Sequence, residues 1–423
     1  MSAVAERLAL HGGAPVRAEL LPTGRGIERY GEEERAAVLE VLESRSLFRY
    51  YGPDLRHKVA GFEAALAGVL GAGHAVATSS GTAALRAAFA ALGIGCGDEV
   101  VVPAFTFVAT VNAVVCAGAV PVFAEIDDSL GLDPATVDAV IGPRTGAVVP
   151  VHLENVGCDM EPLLAVTRRA GVAVVEDAAQ AIGATYRGRA LGTLGDLGAF
   201  SLQLEKTITA GEGGAVVTDD ERLLLRAARY TDQGGQFLTG PGGGRGEELD
   251  EPFVGENLRM TEIAGALAGV QLGRLAGLLA DMRTVKARIL ATLGDVPGLV
   301  PRRLPDPDGD GGSSITGFLP TAEVAAEMAR ALRAEGVPAA RFYAGRPVYA
   351  TPAVLARRTA SGKGGPWHCG EHPTAVAYRM GMCPRTEDLA ARNVTVACAP
   401  GWGPAECDVV AEAVAKVAAA LGP

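Results

Sequence analysis

The lysine at position 206 is one of only five in the 423-residue chain, and its surroundings favour a chemical role. An apolar segment, 199–202, precedes it, and a glycine-rich turn, 211–214, follows it. Burial in such surroundings disfavours the ammonium form and lowers the pKa of a lysine. The neutral amine is a nucleophile that can form a Schiff base with a carbonyl compound. The alternative is a lysine at a strand end whose ammonium group extends to solvent.

An acidic residue, Asp177, ends a second apolar segment that begins at Val172. At the carboxyl end of a buried strand, its carboxylate can pair with the protonated nitrogen of a pyridine ring. That pairing keeps the ring an electron sink. The alternative is a carboxylate that caps a helix or lies in a loop.

Small polar residues at two places could hold a phosphate group. Ser80, Gly81 and Thr82 open a predicted helix directly after a strand. Free N–H groups and the helix dipole favour an anion at such a position, although Ser-Gly-Thr is also an ordinary N-cap. Ser201 precedes Lys206 by five residues and can reach the same phosphate.

An aromatic side chain completes the set. Phe107 follows another predicted strand, which ends at Pro103, and its ring could stack on a flat heterocycle. Packing in the core is the alternative. An amine, a carboxylate, a phosphate site and a stacking ring are together what pyridoxal 5′-phosphate requires, so this cofactor is the one that the pattern predicts.

The elements that must position these residues alternate between strand and helix from about residue 58 onward. This alternation predicts an α/β fold with a mostly parallel sheet covered by helices on both faces. Ligands of such sheets bind beyond the carboxyl ends of the strands. The two strands around Lys206 are joined without a helix, so the sheet need not be simply wound there. The predicted strands are 75–78, 99–103, 120–126, 147–151, 172–177, 199–202 and 215–218.

Three regions are expected along the chain. An N-terminal arm, 1–30, precedes a large cofactor-binding domain, 31–284, and a smaller C-terminal α+β domain, 285–423. Glycine, proline and acidic residues dominate 239–252, which predicts a loop without regular structure, either a lid or a surface excursion.

Composition limits the class of protein. Hydrophobic residues make up 48% of the chain and charged residues 21%, as in a compact globular protein. The net charge of −11 argues against a nucleic-acid or anionic-membrane partner. No membrane span or secretory signal is evident, which predicts a cytoplasmic protein. The seven cysteines lack CxxC spacing, so we expect reduced thiols and no metal site.

The segments that carry these residues resemble those of the DegT/StrS-type sugar aminotransferases, which depend on pyridoxal 5′-phosphate and have the aspartate-aminotransferase (type I) fold. The similarity covers essentially the whole chain. The resembling segments are Ser80–Leu85, Asp98–Phe107, Glu176–Gln180, Phe200–Gly214 and Gly255–Glu262.

The resemblance implies a role for each residue. Lys206 would carry the cofactor as a Schiff base and move the proton, and Asp177 would hold the pyridine nitrogen. Gln180 would bond the ring hydroxyl oxygen, and Phe107 would stack on the ring. Family members are homodimers with sites at the interface, so Asn257 would reach the phosphate of the neighbouring subunit. The expected phosphate ligands within one chain are Ser80, Gly81, Thr82 and Ser201.

Within the family, relatives that dehydrate sugars carry a histidine at the position of Lys206, so the lysine favours transamination. The resemblance implies that glutamate or glutamine donates an amino group to the ketone of a sugar, cyclitol or related acceptor, in secondary-metabolite (antibiotic) or polysaccharide biosynthesis. The alternatives are a dehydrating or aromatising enzyme on the same scaffold and a non-catalytic sensor that retains the cofactor.

Several residues are candidates for substrate contact. Arg49, Tyr50 and Tyr51 could touch the acceptor or pack in the dimer. His152 is either a substrate contact or a structural histidine at a strand end, and Trp367 could lie in a loop at the acceptor site. Two positions depart from the family pattern: Asn155 stands where glycine is expected, and Gln203 is typical of members that act on cyclitols and other acceptors without a nucleotide.

Overall fold

The computed structural model describes residues 7–235, 251–294, 296–362, 365–368 and 376–422. The predicted loop at 239–252 lies almost entirely outside these residues. The α-helices are α1 Glu32–Ser44, α2 Lys58–Leu70, α3 Gly81–Leu92, α4 Val108–Cys116, α5 Pro134–Val140, α6 Met160–Ala170, α7 Glu221–Thr231, α8 Glu262–Leu293, α9 Ala322–Ala334, α10 Pro352–Leu355, α11 Pro384–Arg392 and α12 Pro404–Leu421. The strands are β1 His74–Thr78, β2 Glu99–Pro103, β3 Val120–Ala124, β4 Thr145–Val148, β5 Ala173–Asp177, β6 Thr185–Tyr186, β7 Arg189–Ala190, β8 Leu197–Ser201, β9 Gly214–Thr218, β10 Val300–Pro301, β11 Ser314–Phe318, β12 Ala339–Ala340 and β13 Asn393–Ala397.

The large sheet has seven strands in the order β1-β9-β8-β5-β4-β2-β3. Six of them run parallel, and only β9 is antiparallel to its neighbours β1 and β8. The predicted α/β architecture, with a mixed and mostly parallel sheet, is therefore confirmed. The strand that departs from the parallel pattern is β9, which follows Lys206. A parallel neighbour would need a long crossover connection, usually a helix, and the turn between β8 and β9 contains none.

Local sequence explains why the helices begin where they do. Ser80, Thr261 and Thr321 are the N-caps of α3, α8 and α9, and each side chain accepts a backbone N–H of the first turn. The strands of the sheet centre are buried along almost their whole length, as expected for a sheet with both faces covered. The carboxyl ends of β1, β2, β5 and β8 consequently meet at one edge.

The C-terminal part contains a second sheet of four antiparallel strands in the order β10-β11-β13-β12. The arm packs on this part: Leu8 and Leu21 are buried in its core, and Trp402 donates its indole N–H to the carbonyl of Pro22. Helix α8 runs through residues 284 and 285 without a break, so the boundary expected there falls inside a helix.

Helix α8 is, among the described residues, long and apolar enough to span a membrane by length and composition. It packs against α1, α2 and α12, and a core helix meets the same two criteria, so this finding is weak evidence for a span.

One cysteine departs from the expectation of reduced thiols: Cys96 is disulfide-bonded, whereas Cys116, Cys158, Cys383, Cys398 and Cys407 are free. A disulfide needs only that the fold brings two Cβ atoms to about 4 Å, whatever their spacing along the chain.

Candidate functional site

A cavity of about 490 Å³ lies beyond the carboxyl ends of the parallel strands, and we name it the strand-end cavity. It brings together eight of the nine cofactor residues that the sequence predicts. These are Ser80, Gly81, Thr82, Phe107, Asp177, Gln180, Ser201 and Lys206. Their assembly in one cavity follows from the sheet order, because the strands that precede them end at the same edge.

One end of the strand-end cavity is suited to a phosphate group. The Ser80 hydroxyl oxygen accepts the N–H of Ala83, and the first N–H groups of α3 remain directed along the helix axis. A Cβ atom added at Gly81 would lie 2.7 Å from Cβ of Ser201, so only glycine permits this approach of α3 to β8. The absence of a side chain leaves room for an anion between the helix terminus and the Ser201 hydroxyl.

Asp177 forms the base of the cavity. Its Oδ2 accepts the hydroxyl hydrogen of Thr110 at 2.8 Å, and its Oδ1 accepts the N–H of Ala179 at 3.2 Å. Burial raises the pKa of this carboxyl group. No cationic side chain forms an ion pair with it within the described part of the chain. A buried carboxylate of this kind fits the protonated nitrogen of a pyridine ring, which would supply the missing cation.

Lys206 lies in the turn between β8 and β9. The turn is held by the N–H of Leu202, which donates to the Gly213 carbonyl, and by the Lys206 N–H, which donates to the Gln203 carbonyl. Burial lowers the pKa of the Lys206 ammonium group, and the carboxylates of Asp177 and Glu154 oppose that effect. The amine is thus suited to nucleophilic attack and to proton transfer.

Gln180 is oriented by two hydrogen bonds. Its Nε2 donates to the hydroxyl of Tyr343 at 3.0 Å, and its Oε1 accepts the N–H of Glu154 at 3.3 Å. The ring of Tyr343 lies 6.2 Å from the ring of Phe107, which is 53% exposed on the cavity wall. An aromatic face that is open to a cavity can stack on a flat ligand.

His152 is fully buried and does not line the strand-end cavity. Its Nδ1 accepts the N–H of Cys158 at 3.1 Å, so the ring proton is on Nε2 and is donated to Glu176 at 2.9 Å. The Glu176 carboxylate also accepts three backbone N–H groups, from Gly192, Leu194 and Gly195. This placement favours the alternative of a structural histidine, because the buried imidazole has no surface to offer a ligand.

The other predicted substrate residues also lie away from the strand-end cavity. Arg49 is buried in an ion pair with Glu63 at 2.7 Å, and its guanidinium lies over the ring of Tyr50. Tyr51 is 66% exposed. Trp367 is buried in the core, where its indole N–H donates to the hydroxyl of Tyr378. None of the four lines the cavity within this chain.

Asn257 is exposed and likewise does not line the cavity of its own chain. Its segment pairs with Asp232 through a β-bridge. The cation of the neighbouring Arg259 lies over the ring of Phe48, so this segment is on the same surface as the segment that carries Tyr51.

Sequence reasoning missed three residues that shape the site. Thr110 lies on α4 one turn after Phe107, a spacing that a helical reading could have used. Tyr343 and Glu154 have no local signal, because each reaches Gln180 from a distant part of the fold. The substitution at Asn155 does have an explanation: its φ is +59°, a conformation that glycine adopts freely and that asparagine tolerates best among other residues.

Residues 28–415 match the sequence profile of the DegT/DnrJ/EryC1/StrS aminotransferase family. GDP-perosamine synthase of Caulobacter vibrioides is 41% identical over 258 residues, which cover 61% of this chain and 66% of that protein, slightly under two thirds. A putative L-glutamine:3-amino-2,3-dideoxy-scyllo-inosose aminotransferase of Streptoalloteichus tenebrarius is 38% identical over 305 residues, covering 71% and 70%.

Solved structures of other proteins are similar to this chain over almost its full length. The 3-amino-5-hydroxybenzoic acid (AHBA) synthase structure has a TM-score of 0.80 at 30% identity and covers 96% of this chain and 100% of that chain. DesV of S. venezuelae has a TM-score of 0.79 at 31% identity, covering 95% and 99%. These likenesses confirm the fold class predicted from the sequence. The chain belongs to the DegT/DnrJ/EryC1/StrS aminotransferase family.

Proposed function

We propose that this protein transfers an amino group from glutamate or glutamine to the keto group of a sugar or cyclitol, with pyridoxal 5′-phosphate as its cofactor. The observation that carries the proposal is the meeting of Lys206, Asp177 and the N-terminus of α3 in the strand-end cavity. When bound, the cofactor supplies an electron sink that stabilises negative charge at Cα of the donor.

The residues of this chain would then divide the work. Asp177 keeps the pyridine nitrogen protonated, and Thr110 orients its carboxylate. Phe107 covers one face of the ring, and Gln180 is placed to bond the ring oxygen. The Gly81 N–H, Thr82 and Ser201 bind the phosphate. The partly buried Nζ of Lys206 accepts the proton from Cα of the donor and later returns a proton to the acceptor carbon.

Two observations support an acceptor that lacks a nucleotide. Gln203, which resembles the residue of cyclitol-acting members, lines the strand-end cavity. The Streptoalloteichus tenebrarius relative is named for an amino-cyclitol ketone. The name of the Caulobacter vibrioides relative, a GDP-sugar enzyme, supports a nucleotide-bound sugar instead. Secondary-metabolite or polysaccharide biosynthesis is the pathway class that we propose, in the cytoplasm.

We further propose that the active unit is a homodimer. Leu39, Leu42, Leu47, Tyr51 and Val254 are exposed large hydrophobic residues on and beside α1 and near the Asn257 segment. An apolar surface of this kind is suited to a partner subunit. Because Asn257 is exposed there and absent from its own cavity, it would reach the phosphate in the partner's site.

The likeness to AHBA synthase favours a second candidate, dehydration or aromatisation on the same scaffold. Lys206 opposes a sugar dehydratase of the histidine type but leaves an aromatising reaction open.

A visible absorbance spectrum, recorded before and after addition of glutamate or glutamine, tests the proposal. We expect a band from the covalently held cofactor that moves to the near ultraviolet as the amine form accumulates, and that is lost in Lys206→Ala. A band that no amino acid shifts would support the second candidate. No band after addition of pyridoxal 5′-phosphate would contradict the cofactor assignment.

A further inference from the structure

A second cavity, of about 320 Å³, adjoins the strand-end cavity and lies between the arm, the large sheet and the C-terminal part; we name it the arm cavity. The two cavities share Gln180, Glu205 and Lys206 in their linings. Arg25 of the arm and Glu154 also line the arm cavity. Lys206 is therefore reached from two sides, and the proposed cofactor occupies only one of them.

Glu154 is held in a strained position beside this lysine. Its φ of +52° is a left-handed conformation that costs a non-glycine residue free energy and that persists where surrounding contacts impose it. Its Oε2 forms an ion pair with Arg25 at 2.5 Å. The Ser313 hydroxyl lies 2.8 Å from the Glu154 carbonyl oxygen and 3.2 Å from Oε2, so it holds both the backbone and the carboxylate of Glu154. Its N–H donates to Gln180. These contacts fix a largely buried carboxylate at the wall of the arm cavity.

We propose that Glu154 is a positioning residue for the charge of Lys206, and that Arg25 sets how much of the negative charge of Glu154 the lysine experiences. The inference rests on the proposed function, since it concerns the lysine that would hold the cofactor. A buried ion pair with a structural role alone need not line the same cavity as the reacting amine, whereas Arg25 and Glu154 line the arm cavity together with Lys206.

Six charged residues share a cavity lining with Lys206: Asp177, Glu205 and Glu212 in the strand-end cavity, and Arg25, Glu154, Arg333 and again Glu205 in the arm cavity. Glu212 is exposed. The carboxylates of Asp177 at the end of β5, Glu154 in the turn after β4 and Glu205 in its own turn raise its pKa, and Arg25 lowers it, against the larger lowering by burial. Asp177 is committed to the pyridine nitrogen, and Glu205 is exposed, so solvent screens it. Glu154 is the carboxylate that remains in a low-dielectric setting.

The consequence falls in the step in which Lys206 acts as a base. In the proposed reaction, Nζ of Lys206 would take the proton that leaves Cα of the donor and would become an ammonium ion. A negative charge fixed across the arm cavity stabilises that ion, and the bound Arg25 prevents the ion from becoming too stable to return the proton. The ion pair thus adjusts the proton affinity of Lys206 from outside the strand-end cavity.

The test is a pH titration of the absorbance of the loaded enzyme, which follows protonation of the nitrogen of Lys206. We expect the midpoint to fall in Glu154→Gln and to rise in Arg25→Gln, each by about half a unit to one unit, as charges several ångströms apart in partly buried sites produce. The double variant should titrate close to the wild type, because both charges are gone.

The opposite signs separate this role from a structural one. Both single variants break the same ion pair, so a purely structural effect moves the two midpoints in the same direction, and that result would overturn the proposal. Glu205→Gln is the matched control, with an exposed carboxylate next to Lys206, and its midpoint should move less than that of Glu154→Gln. An equal or larger movement would assign the effect to Glu205.

A second readout needs no cofactor. The rate of Lys206 acetylation in the apo-protein can be followed against pH by mass spectrometry. The midpoint of that pH dependence should be lower in Glu154→Gln than in the wild type, and higher in Arg25→Gln. If the wild type showed no absorbance band, the proposed function would fail, while this measurement would still decide the inference. A normal band with unmoved midpoints and unmoved acetylation would refute the inference alone.

Discussion

Thr110 donates its hydroxyl hydrogen to Oδ2 of Asp177 across 2.8 Å, and this bond joins helix α4 to the end of strand β5 at the base of the strand-end cavity. The Thr110 oxygen in turn lies 2.9 Å from the hydroxyl of Thr106. Thr110 and the N–H of Ala179 are both neutral donors to Asp177. The carboxylate is therefore oriented without having its charge cancelled, which leaves the charge available to a cationic ring nitrogen.

Replacement of Thr110 by valine should weaken binding of pyridoxal 5′-phosphate by about tenfold, because a hydrogen bond to a charged group contributes about 1.5 kcal/mol or more. Valine keeps the β-branched shape, so the loss reports the hydroxyl. A fluorescence or absorbance titration of the apo-protein measures the dissociation constant. Thr110→Ser retains the donor and should bind nearly as the wild type does; equal weakening in both variants would point to packing instead.

Replacement of Gly81 by alanine should reduce cofactor affinity by at least tenfold, because the new Cβ atom would lie 2.7 Å from Cβ of Ser201 and would force α3 away from β8. The matched control is Gly68→Ala on helix α2, where an added Cβ meets no atom within 4 Å. The control should be more stable by about 0.5–1 kcal/mol, the usual gain in a helix. Cofactor titration and thermal unfolding give both results, and unaltered affinity in Gly81→Ala would contradict the phosphate site.

The raised pKa of Asp177 has a defined consequence for the stability of the apo-protein. A group whose pKa is higher in the folded than in the unfolded chain stabilises the fold fully below its unfolded pKa, near 3.8, and loses that contribution as the pH rises through its folded-state value. Asp177→Asn has no such loss. We expect its free energy of unfolding, relative to wild type, to increase as the pH rises from about 4 toward 7.

Urea unfolding of both apo-proteins across that range measures the difference. The same variant should bind the cofactor less tightly, since the charge that pairs with the ring is absent. A difference in stability that stays constant with pH would mean that burial does not perturb this carboxyl group.

Replacement of His152 by asparagine should lower the free energy of unfolding by about 1–3 kcal/mol, because Glu176 and the N–H of Cys158 lose buried hydrogen-bond partners. The Michaelis constant for the acceptor should change little, since the imidazole is fully buried. Steady-state kinetics at a temperature well below the unfolding midpoint separates the two effects. A Michaelis constant that rose severalfold in a folded variant would restore His152 as a substrate contact.

Much of the site could be read from sequence because its signals are local. Ser80, Gly81 and Thr82 follow a strand and open a helix, and N-cap chemistry depends on the next three residues. Lys206 and Asp177 were recognisable at the ends of apolar segments, and the strand order then brought them together. Asn155 was identifiable as unusual because it stands where the family pattern has glycine, and its positive φ in the structure agrees with that pattern.

Other residues had no local signal. Tyr343 is 163 positions from Gln180, and Arg25 is 129 positions from Glu154, so no periodicity connects either pair. The sequence also left His152 and Trp367 as candidate contacts, because it cannot show that both are buried away from the cavity. The disulfide of Cys96 was not predicted either, because the sequence does not show which cysteines the fold brings close together.

The sequence by itself determined the succession of strands and helices and the residues that end the strands, because hydrophobic periodicity and capping act between near neighbours in the chain. The tertiary structure alone decided which of those residues share a cavity and which are buried outside it. It also decided the direction in which the pKa of Asp177 moves and which carboxylates oppose the lowering of the pKa of Lys206, because desolvation and charge interactions depend on groups that only folding brings together.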